Sequence, residues 1–479
     1  MKIQESLEKQ TVTGIGWSAV ERFATQGISF LIQLVLARLL MPSDYGIIAM
    51  LAIFLQIAQV FIDSGFANAL IKKQNCTEKD YSTVFYYNLA ISITIYVLFF
   101  SFSPIVARFY DLPEITNVMR LVSLVVILNA LCIVQRTKLI KAIDFKSQAK
   151  VSLCSMLLSG WLGLYLAYQG VGVWALCWQT IANVFFQNIF LFSIVKWFPS
   201  LIFSRKSFVE MFGFGSKILG ASIISVIYSN LYTIVIGKMF QAVELGNYSR
   251  AEQFAKFPSS NIGNIIARVM FPVLSRIQDE DEKLRIVYRK IIRCSSFLIF
   301  PLMIGLAAIA TPLVIVVLTE KWLGIVTLLQ IACLSYMWDH LSLLNLNILY
   351  VKGRSDLVFK LEVIKKSIAV LVLVVTIPHG LIVMCWGLVA YSLIALYLNA
   401  YYTKKLLALS FLKQLNDVTP YLMASLTMGG CVLLFLNMVD NVYIQLIAGV
   451  FIGIITYSFI SLIFFKFILT EVKSLIRRV

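Results

Sequence analysis

The sequence predicts an all-α polytopic membrane protein with about 14 transmembrane helices. The chain has 479 residues, of which 60% are hydrophobic and only 14% are charged. Soluble domains are about 45–50% apolar and about 25% charged. Apolar stretches close to the roughly 20 residues that cross a bilayer recur along the chain. Lys and Arg residues gather in alternate connections between these stretches.

The apolar stretches give the order of the predicted spans. We place them at residues 14–38, 45–69, 82–103, 115–135, 150–168, 172–195, 214–237, 247–275, 294–318, 323–349, 363–378, 381–402, 418–438 and 443–465. The first stretch follows a polar start and has no small-residue cleavage site, so we expect a span rather than a signal peptide.

The basic residues predict the orientation of the chain. The net charge is +17, and most of the 41 Lys and Arg residues fall in connections on the same side as the N-terminus. This bias follows the positive-inside rule and predicts that both termini are cytoplasmic. A nucleic-acid partner is not expected, because charge sorted by loop indicates topology rather than a binding surface.

An internal repeat predicts two related halves. Residues 36–51 read LARLLMPSDYGIIAML and residues 236–251 read IGKMFQAVELGNYSRA, so that Gly46 aligns with Gly246. An even number of predicted spans separates the copies, which gives both the same orientation. We predict a six-helix lobe at 1–195, an interfacial linker at 196–213, a second six-helix lobe at 214–402, and two additional helices with a basic tail at 403–479.

Polar residues recur on one face of the first span. Arg22, Gln26, Ser29 and Gln33 are spaced by four, three and four residues, which places them on the same side of a helix. Polar groups inside a membrane usually face a cavity or a partner. The stripe predicts the lining of a hydrated cavity for substrate; the alternative is polar contact that holds helices together.

The eighth span is more polar still. Its stripe repeats every fourth residue and contains Glu252, Lys256, Ser260, Asn264 and Arg268. Lys256 and Arg268 are separated by roughly 18 Å along a helix, so two cations at different depths could pass an anion across the membrane. Alternatively, Glu252 and Lys256 form an ordinary i,i+4 pair, and Arg268 extends towards the headgroups.

The other ionisable residues near or inside spans are candidates for ion coupling or substrate contact. Asp339 lies well inside the tenth span, and His340 has a side chain that titrates near pH 6.5 in its reference state. Their alternative roles are to neutralise a nearby arginine and to hydrogen-bond a helix. Glu21 and Asp63 are further acidic candidates for ion coupling, and Arg120 is a further candidate for substrate binding.

Motifs for soluble enzyme chemistry are missing from the sequence. It contains no GxxxxGK[ST] phosphate loop, no HExxH and no nucleophile elbow. We therefore expect no catalytic residues, no metal and no cofactor.

The N-terminal stretch TGIGWSAVERFATQGISFLIQLVLARLLMPSDYGIIAM, followed by FIDSGFANALIKK, carries a family resemblance. It resembles the polysaccharide transporter (Wzx-type) branch of the multidrug/oligosaccharidyl-lipid/polysaccharide exporter superfamily. The stretch LGNYSRAEQFAKFPSSNIGNIIARVMFPVLSRIQ is similar to the same branch, and the resemblance covers at least residues 10–320.

The resemblance implies two six-helix lobes around a central cavity, with two extra C-terminal helices. It implies alternating-access flipping of a polyprenyl-pyrophosphate-linked oligosaccharide across a bacterial inner membrane. Arg22, Lys256 and Arg268 match positions where related flippases carry functional basic residues. Protons and sodium ions are candidate coupling ions, with the membrane potential alone as the alternative, and glycan polymerase machinery is a candidate partner.

Three other functions remain open from the sequence. A flippase for a lipid-linked peptidoglycan precursor would need similar chemistry. A drug/cation antiporter of the same superfamily would favour an acidic cavity, whereas the predicted cavity is basic. A membrane glycan polymerase would need a sizeable outer loop with catalytic residues, and the predicted outer loops are short.

Overall fold

The fold is described by a computed structural model that covers residues 24–63, 66–73 and 75–465. Within these ranges every regular element is a helix, which confirms the predicted all-α class. Residues divide into two compact units, Met1–Gly246 and Asn247–Val479. The lobe limits inferred from the repeat stay predictions.

The described part of the first unit contains ten helices, the first of them described only from Ala24, and the start of an eleventh. They are α1 (Ala24–Leu39, as far as it is described), α2 (Pro42–Asp63), α3 (Phe66–Lys72), α4 (Glu78–Tyr110), α5 (Ile115–Val122), α6 (Leu124–Lys141), α7 (Phe145–Tyr168), α8 (Val173–Val195), α9 (Arg205–Ser229), α10 (Leu231–Met239) and α11 (Ala242–Arg276). Most of α11 belongs to the second unit.

The second unit continues the same all-helical pattern. Its further helices are α12 (Asp281–Ala308), α13 (Ala310–Leu318), α14 (Ile325–Tyr336), α15 (Asp339–Val351), α16 (Ser355–Thr376), α17 (Leu381–Leu407), α18 (Phe411–Leu436) and α19 (Val442–Phe464). Short 3₁₀ turns occur at Glu320–Trp322 and Ile377–His379.

Within the described residues, each of the fourteen predicted spans overlaps with a helix or a pair of helices. By length and hydropathy, nine spans in the described part of the chain can cross a membrane, or ten if α9 and α10 form one bent span. Charged and polar residues keep α11 out of this set, although it is 35 residues long. The multi-pass character is therefore confirmed, and the number fourteen stays a prediction.

Several of the predicted spans consist of two helices with a break between them. α11 continues through Pro258 and Pro272, and α12 continues through Pro301. Such breaks occur between α5 and α6, between α9 and α10, between α12 and α13, and between α14 and α15. At the break between α9 and α10 the helix bends by 43°, and Asn230 Nδ2 donates to Gln56 Oε1 of α2 at 3.0 Å.

The predicted linker at 196–213 is irregular up to Ser204 and helical from Arg205. Its irregular part is fixed to the first turns of α4. Trp197 Nε1 donates to Glu78 Oε2 at 2.6 Å, and Ser200 N donates to Ser82 Oγ at 3.0 Å. Leu201 remains 94% exposed, so the segment presents an apolar side chain at its surface, and its interfacial position stays a prediction.

The repeat aligns with a reciprocal contact in the first unit. A Cβ atom added to Gly46 would lie 1.8 Å from the carbonyl oxygen of Ala242, and one added to Gly246 would lie 1.9 Å from that of Pro42. All four positions are related by the 200-residue offset of the repeat. The starts of α2 and α11 thus touch backbone to backbone, which only glycine permits at this distance.

We expect Gly46→Ala and Gly246→Ala to destabilise the protein by about 1–3 kcal/mol or more, because the two helix starts must separate. Thermal melting of the purified protein in detergent measures the effect. The matched control is Gly430→Ala in α18, where the added carbon would face open space rather than a neighbouring helix of the described residues. Equal melting temperatures for all three variants and the wild type would contradict the contact.

Candidate functional site

The polar stripe of the first span begins outside the described residues. Glu21 and Arg22 lie before Ala24, where the description of α1 starts. Gln26, Ser29 and Gln33 are half-buried on one face of α1. The helical spacing on which the predicted cavity lining depends is therefore present for these three side chains.

The stripe of α11 forms an exposed polar face in the second unit. Lys256 Nζ lies 3.7 Å from Glu252 Oε1, and its side chain is 57% exposed. Asn264 and Arg268 are exposed two and three turns further along the helix. The i,i+4 pair that we considered for Glu252 and Lys256 is present, and the Lys256 side chain remains accessible beside it.

The tenth predicted span is two half-helices, α14 and α15, that meet next to α11. The break leaves backbone carbonyls without helical partners. Ser259 Oγ of α11 donates to the Tyr336 carbonyl oxygen at 2.7 Å. The Tyr336 hydroxyl donates to Glu252 Oε1 at 2.6 Å. Two hydrogen bonds therefore attach the broken helix to the polar face of α11.

Asp339 and His340 begin the second half-helix and have different surroundings. Asp339 is exposed, and Lys256 and Glu252 act on it electrostatically. His340 is 1% exposed, with Nε2 2.9 Å from Ser296 Oγ. Its ring packs edge-on against Phe300, the arrangement of a side chain that holds helices together.

Arg120 and Asp63 contact residues of the first unit. Arg120 Nε donates to Ser103 Oγ at 3.0 Å, and its guanidinium group lies 4.3 Å from the Phe100 ring centre. These contacts join α5 to α4. Asp63 is exposed at the end of α2 and accepts a hydrogen bond from Gln59 Nε2 at 3.0 Å.

The structure adds a polar chain that our sequence analysis missed. Arg136 Nη2 of α6 donates to Gln187 Oε1 of α8 at 2.8 Å, and Gln187 Nε2 donates to Asn183 Oδ1 at 2.6 Å. Asn183 Nδ2 then donates to Ser159 Oγ of α7 at 3.2 Å. The available signal was the Gln179, Asn183, Gln187 spacing in the sixth span. This stripe contains no charged residue, and charged residues are the stronger signal of a functional position inside a span.

A second missed feature is a buried carboxylate in the second unit. The Asp417 side chain is 3% exposed, and both Arg289 and Arg293 donate to it. Arg289 forms a two-pronged pair, with Nε and Nη2 each 2.7 Å from a carboxylate oxygen. The pair fastens α12 to α18. The sequence placed all three residues in connections, because α12 and α18 begin earlier than the predicted spans.

An apolar groove lies on the same unit. It has a volume of about 460 Å³, and α11, α12, α18 and α19 line it. Pro258 comes from α11, and Gly305, Gly449 and Gly453 leave room where side chains would otherwise fill the space. Met428 supplies a flexible apolar wall. A groove of this kind at membrane depth suits a hydrocarbon chain.

Within the described residues no group of three or more His, Cys, Asp or Glu side chains is placed to hold a metal ion.

The fold and the apolar spans define a multi-pass membrane protein. The chain matches the family described as "Polysaccharide biosynthesis protein" over residues 35–327, more than half of its length. The chain belongs to this family, which confirms the resemblance drawn from the sequence.

Individual relatives are consistent with this membership. Over 359 residues the chain is 26% identical to the teichuronic acid biosynthesis protein TuaB of Bacillus subtilis, covering 74% of each chain. It is 25% identical over 366 residues to the lipopolysaccharide biosynthesis protein WzxC of Escherichia coli, covering 75% of this chain and 74% of WzxC. The succinoglycan biosynthesis transport protein ExoT of Rhizobium meliloti is 26% identical over 343 residues, covering 71% of this chain and 67% of ExoT.

Solved structures show the same fold. The lipid II flippase MurJ in an inward closed conformation superposes with a TM-score of 0.74 at 15% identity, covering 94% of this chain and 99% of MurJ. An inward-facing multidrug resistance transporter of the MATE family gives a TM-score of 0.55 at 13% identity, covering 78% of this chain and 94% of its own.

We expect Asp417→Ala to destabilise the protein by about 3 kcal/mol, because it leaves two arginines without their shared partner. The comparison is Asp356→Ala, which breaks the exposed pair with Arg354 and should leave stability unchanged. Denaturant unfolding in detergent measures both. A loss of equal size in the two variants would contradict the special role of the buried carboxylate.

Proposed function

We propose that this protein flips a polyprenyl-pyrophosphate-linked oligosaccharide, the repeat unit of a surface polysaccharide or O-antigen, across the bacterial inner membrane. It would act as a transporter without a catalytic step, with both termini in the cytoplasm. One observation carries the proposal: α11 presents cations on one face and lines an apolar groove with another. The names of its relatives, which include a polysaccharide transport protein, support the same substrate class.

The two faces of α11 match the two ends of such a lipid. Lys256, Asn264 and Arg268 follow one another at intervals of eight and four residues, so they form a stripe that turns by about 120° around the helix. Pro258 lies nearly opposite Lys256, beyond the Arg268 end of the stripe, and lines the groove. A molecule with an anionic headgroup and a long hydrocarbon chain can therefore place both ends on one helix.

Lys256 and Arg268 would bind the pyrophosphate, together with Arg22. Charge-assisted hydrogen bonds to phosphate are about twice as strong as neutral ones. Lys256 already contacts Glu252, so the headgroup must compete with a carboxylate for it. Such competition weakens binding in this arrangement and would let the site release its cargo when the arrangement changes.

Gln26, Ser29, Gln33 and Asn264 would line the path of the sugars, and Arg120 would contribute from the first unit. Amide and hydroxyl side chains both donate and accept hydrogen bonds, as sugar hydroxyls require. Their contacts remain weak and replaceable, which suits a cargo that must move.

Asp339 is the first candidate for ion coupling, with His340, Asp63 and Glu21 as further candidates. It begins a half-helix at a break in a span, a location that secondary transporters use for ion and substrate sites. A proton or sodium ion at this carboxylate would weaken its electrostatic attraction for Lys256, which Glu252 contacts directly. Ion binding would then leave more of the Lys256 charge for the pyrophosphate, which couples the two events.

We expect Lys256→Ala and Arg268→Ala each to lower transport about 10- to 100-fold, because each removes a charge-assisted contact to phosphate. The assay uses a strain lacking the gene, complemented with each variant. It measures how much lipid-linked glycan is protected from a membrane-impermeant oxidant in sealed spheroplasts.

The control for this assay is Lys360→Ala, which removes an exposed cation of α16 and should transport normally. Normal flux through the double variant Lys256→Ala, Arg268→Ala would overturn the assigned roles. Glycan that accumulates on the outer face in the deletion strain would place the defect after flipping and favour a polymerase.

We expect Asp339→Asn to uncouple transport from its driving ion, because the amide cannot exchange a proton or hold a cation by charge. Transport by the wild type in proteoliposomes should fall when a proton or sodium gradient is collapsed. The variant should transport slowly at a rate that is insensitive to either gradient. An unchanged response to the gradient would exclude Asp339 as the coupling group.

A further inference from the structure

The polar chain of the first unit runs in one direction across three helices. Arg136 donates to Gln187, Gln187 donates to Asn183, and Asn183 donates to Ser159. Ser159 Oγ completes it by donating to the Met156 carbonyl oxygen at 3.2 Å. Successive hydrogen bonds that point the same way polarise one another, so the arginine charge orients the whole chain.

The hydrogen-bonded side chains from Arg136 to Asn183 are accessible to a ligand. Arg136, Asn183 and Gln187 are all half-buried, whereas Ser159 is 1% exposed. Each amide NH₂ has two hydrogens, and the contacts given above use one of them. Polar groups left accessible within membrane spans are expected to face water or a polar ligand rather than lipid.

The hydrogen-bonded side chains also lie at different depths in the membrane. Arg136 is about 8 Å from the last residue of α6 at a rise of 1.5 Å per residue. Ser159 is about 21 Å from the first residue of α7, which starts on the same side because α6 and α7 are consecutive. The hydrogen-bonding groups therefore form a series along the direction of transport.

Close packing holds the series in place. A Cβ added to Gly163 of α7 would lie 2.9 Å from Cβ and Cγ of Gln179, one turn before Asn183 on α8. The Gln179 side chain therefore lies against α7, and the stripe of amides follows the seam between α7 and α8.

We propose that Arg136, Gln187 and Asn183 form a carbohydrate-binding track that contacts the oligosaccharide of the cargo. This inference rests on the proposed function and adds residues to it. Planar amides and a guanidinium group can bind neighbouring sugar hydroxyls in pairs, donating and accepting at once. Sugars moving along the series exchange one hydrogen bond for the next, without any step at which several must break together.

The competing explanation is that the chain only fastens three helices together. The two explanations differ in what they predict for binding. A purely structural chain affects stability and treats all lipids alike. A carbohydrate track discriminates between a lipid with sugars and the same lipid without them.

The experiment measures binding of two probes to the purified full-length protein in nanodiscs. One probe is undecaprenyl diphosphate, and the other is the lipid-linked repeat unit extracted from the deletion strain. We expect Asn183→Leu and Gln187→Leu to weaken binding of the glycan-bearing probe about tenfold. Binding of undecaprenyl diphosphate should stay within about twofold of wild type.

The matched control is Asn188→Leu on the same helix. Asn188 is buried, and its Nδ2 donates to the Leu128 carbonyl oxygen of α6 at 2.9 Å. This variant should lower the melting temperature and leave the ratio of the two affinities unchanged. Melting of all variants separates stability from recognition.

The outcomes separate the two proposals. If both probes bind the wild type and the track variants weaken them equally or not at all, the carbohydrate track is wrong and flipping survives. If the wild type binds neither probe, the proposed function fails and the track fails with it. Selective loss of the glycan-bearing probe supports both.

Discussion

The bilayer offers no water to satisfy polar groups, and this constraint organises the structure. A backbone or side-chain polar atom inside a span needs a protein partner or a hydrated surface. The break between α14 and α15 shows the first solution, because Ser259 hydrogen-bonds the freed Tyr336 carbonyl oxygen. The buried His340 side chain likewise has a protein partner, the Ser296 hydroxyl. The exposed face of α11 requires the second solution, a hydrated surface.

The same constraint explains why one helix is central to the proposed mechanism. α11 is long, polar and attached to a broken helix, yet Pro258 helps to line an apolar groove. Its polar face carries Lys256 within reach of Glu252. A cation shared between a carboxylate and a ligand can change partners at low cost, since neither arrangement leaves it without an opposite charge.

Polar pairs in the two units have different degrees of exposure, and this difference indicates different roles. Asp417 is almost fully buried between two arginines, so its pair fastens α12 to α18. The chain from Arg136 to Ser159 joins three helices but keeps its first three members half-buried. Accessible groups that are already oriented lose little freedom when a ligand replaces one of their contacts.

The sequence by itself determined the all-α class, the multi-pass character, the family and the spacing of the stripes, because hydropathy and helical periodicity are local properties. Tertiary structure decided which polar side chains on different helices contact one another. The pairing of Arg136 with Gln187 and of Asp417 with Arg289 joins residues distant in sequence, and no periodicity encodes such contacts. The break before Asp339 likewise has no proline or glycine that would predict it from the sequence. Packing against α11 supplies the hydrogen bonds that stabilise it.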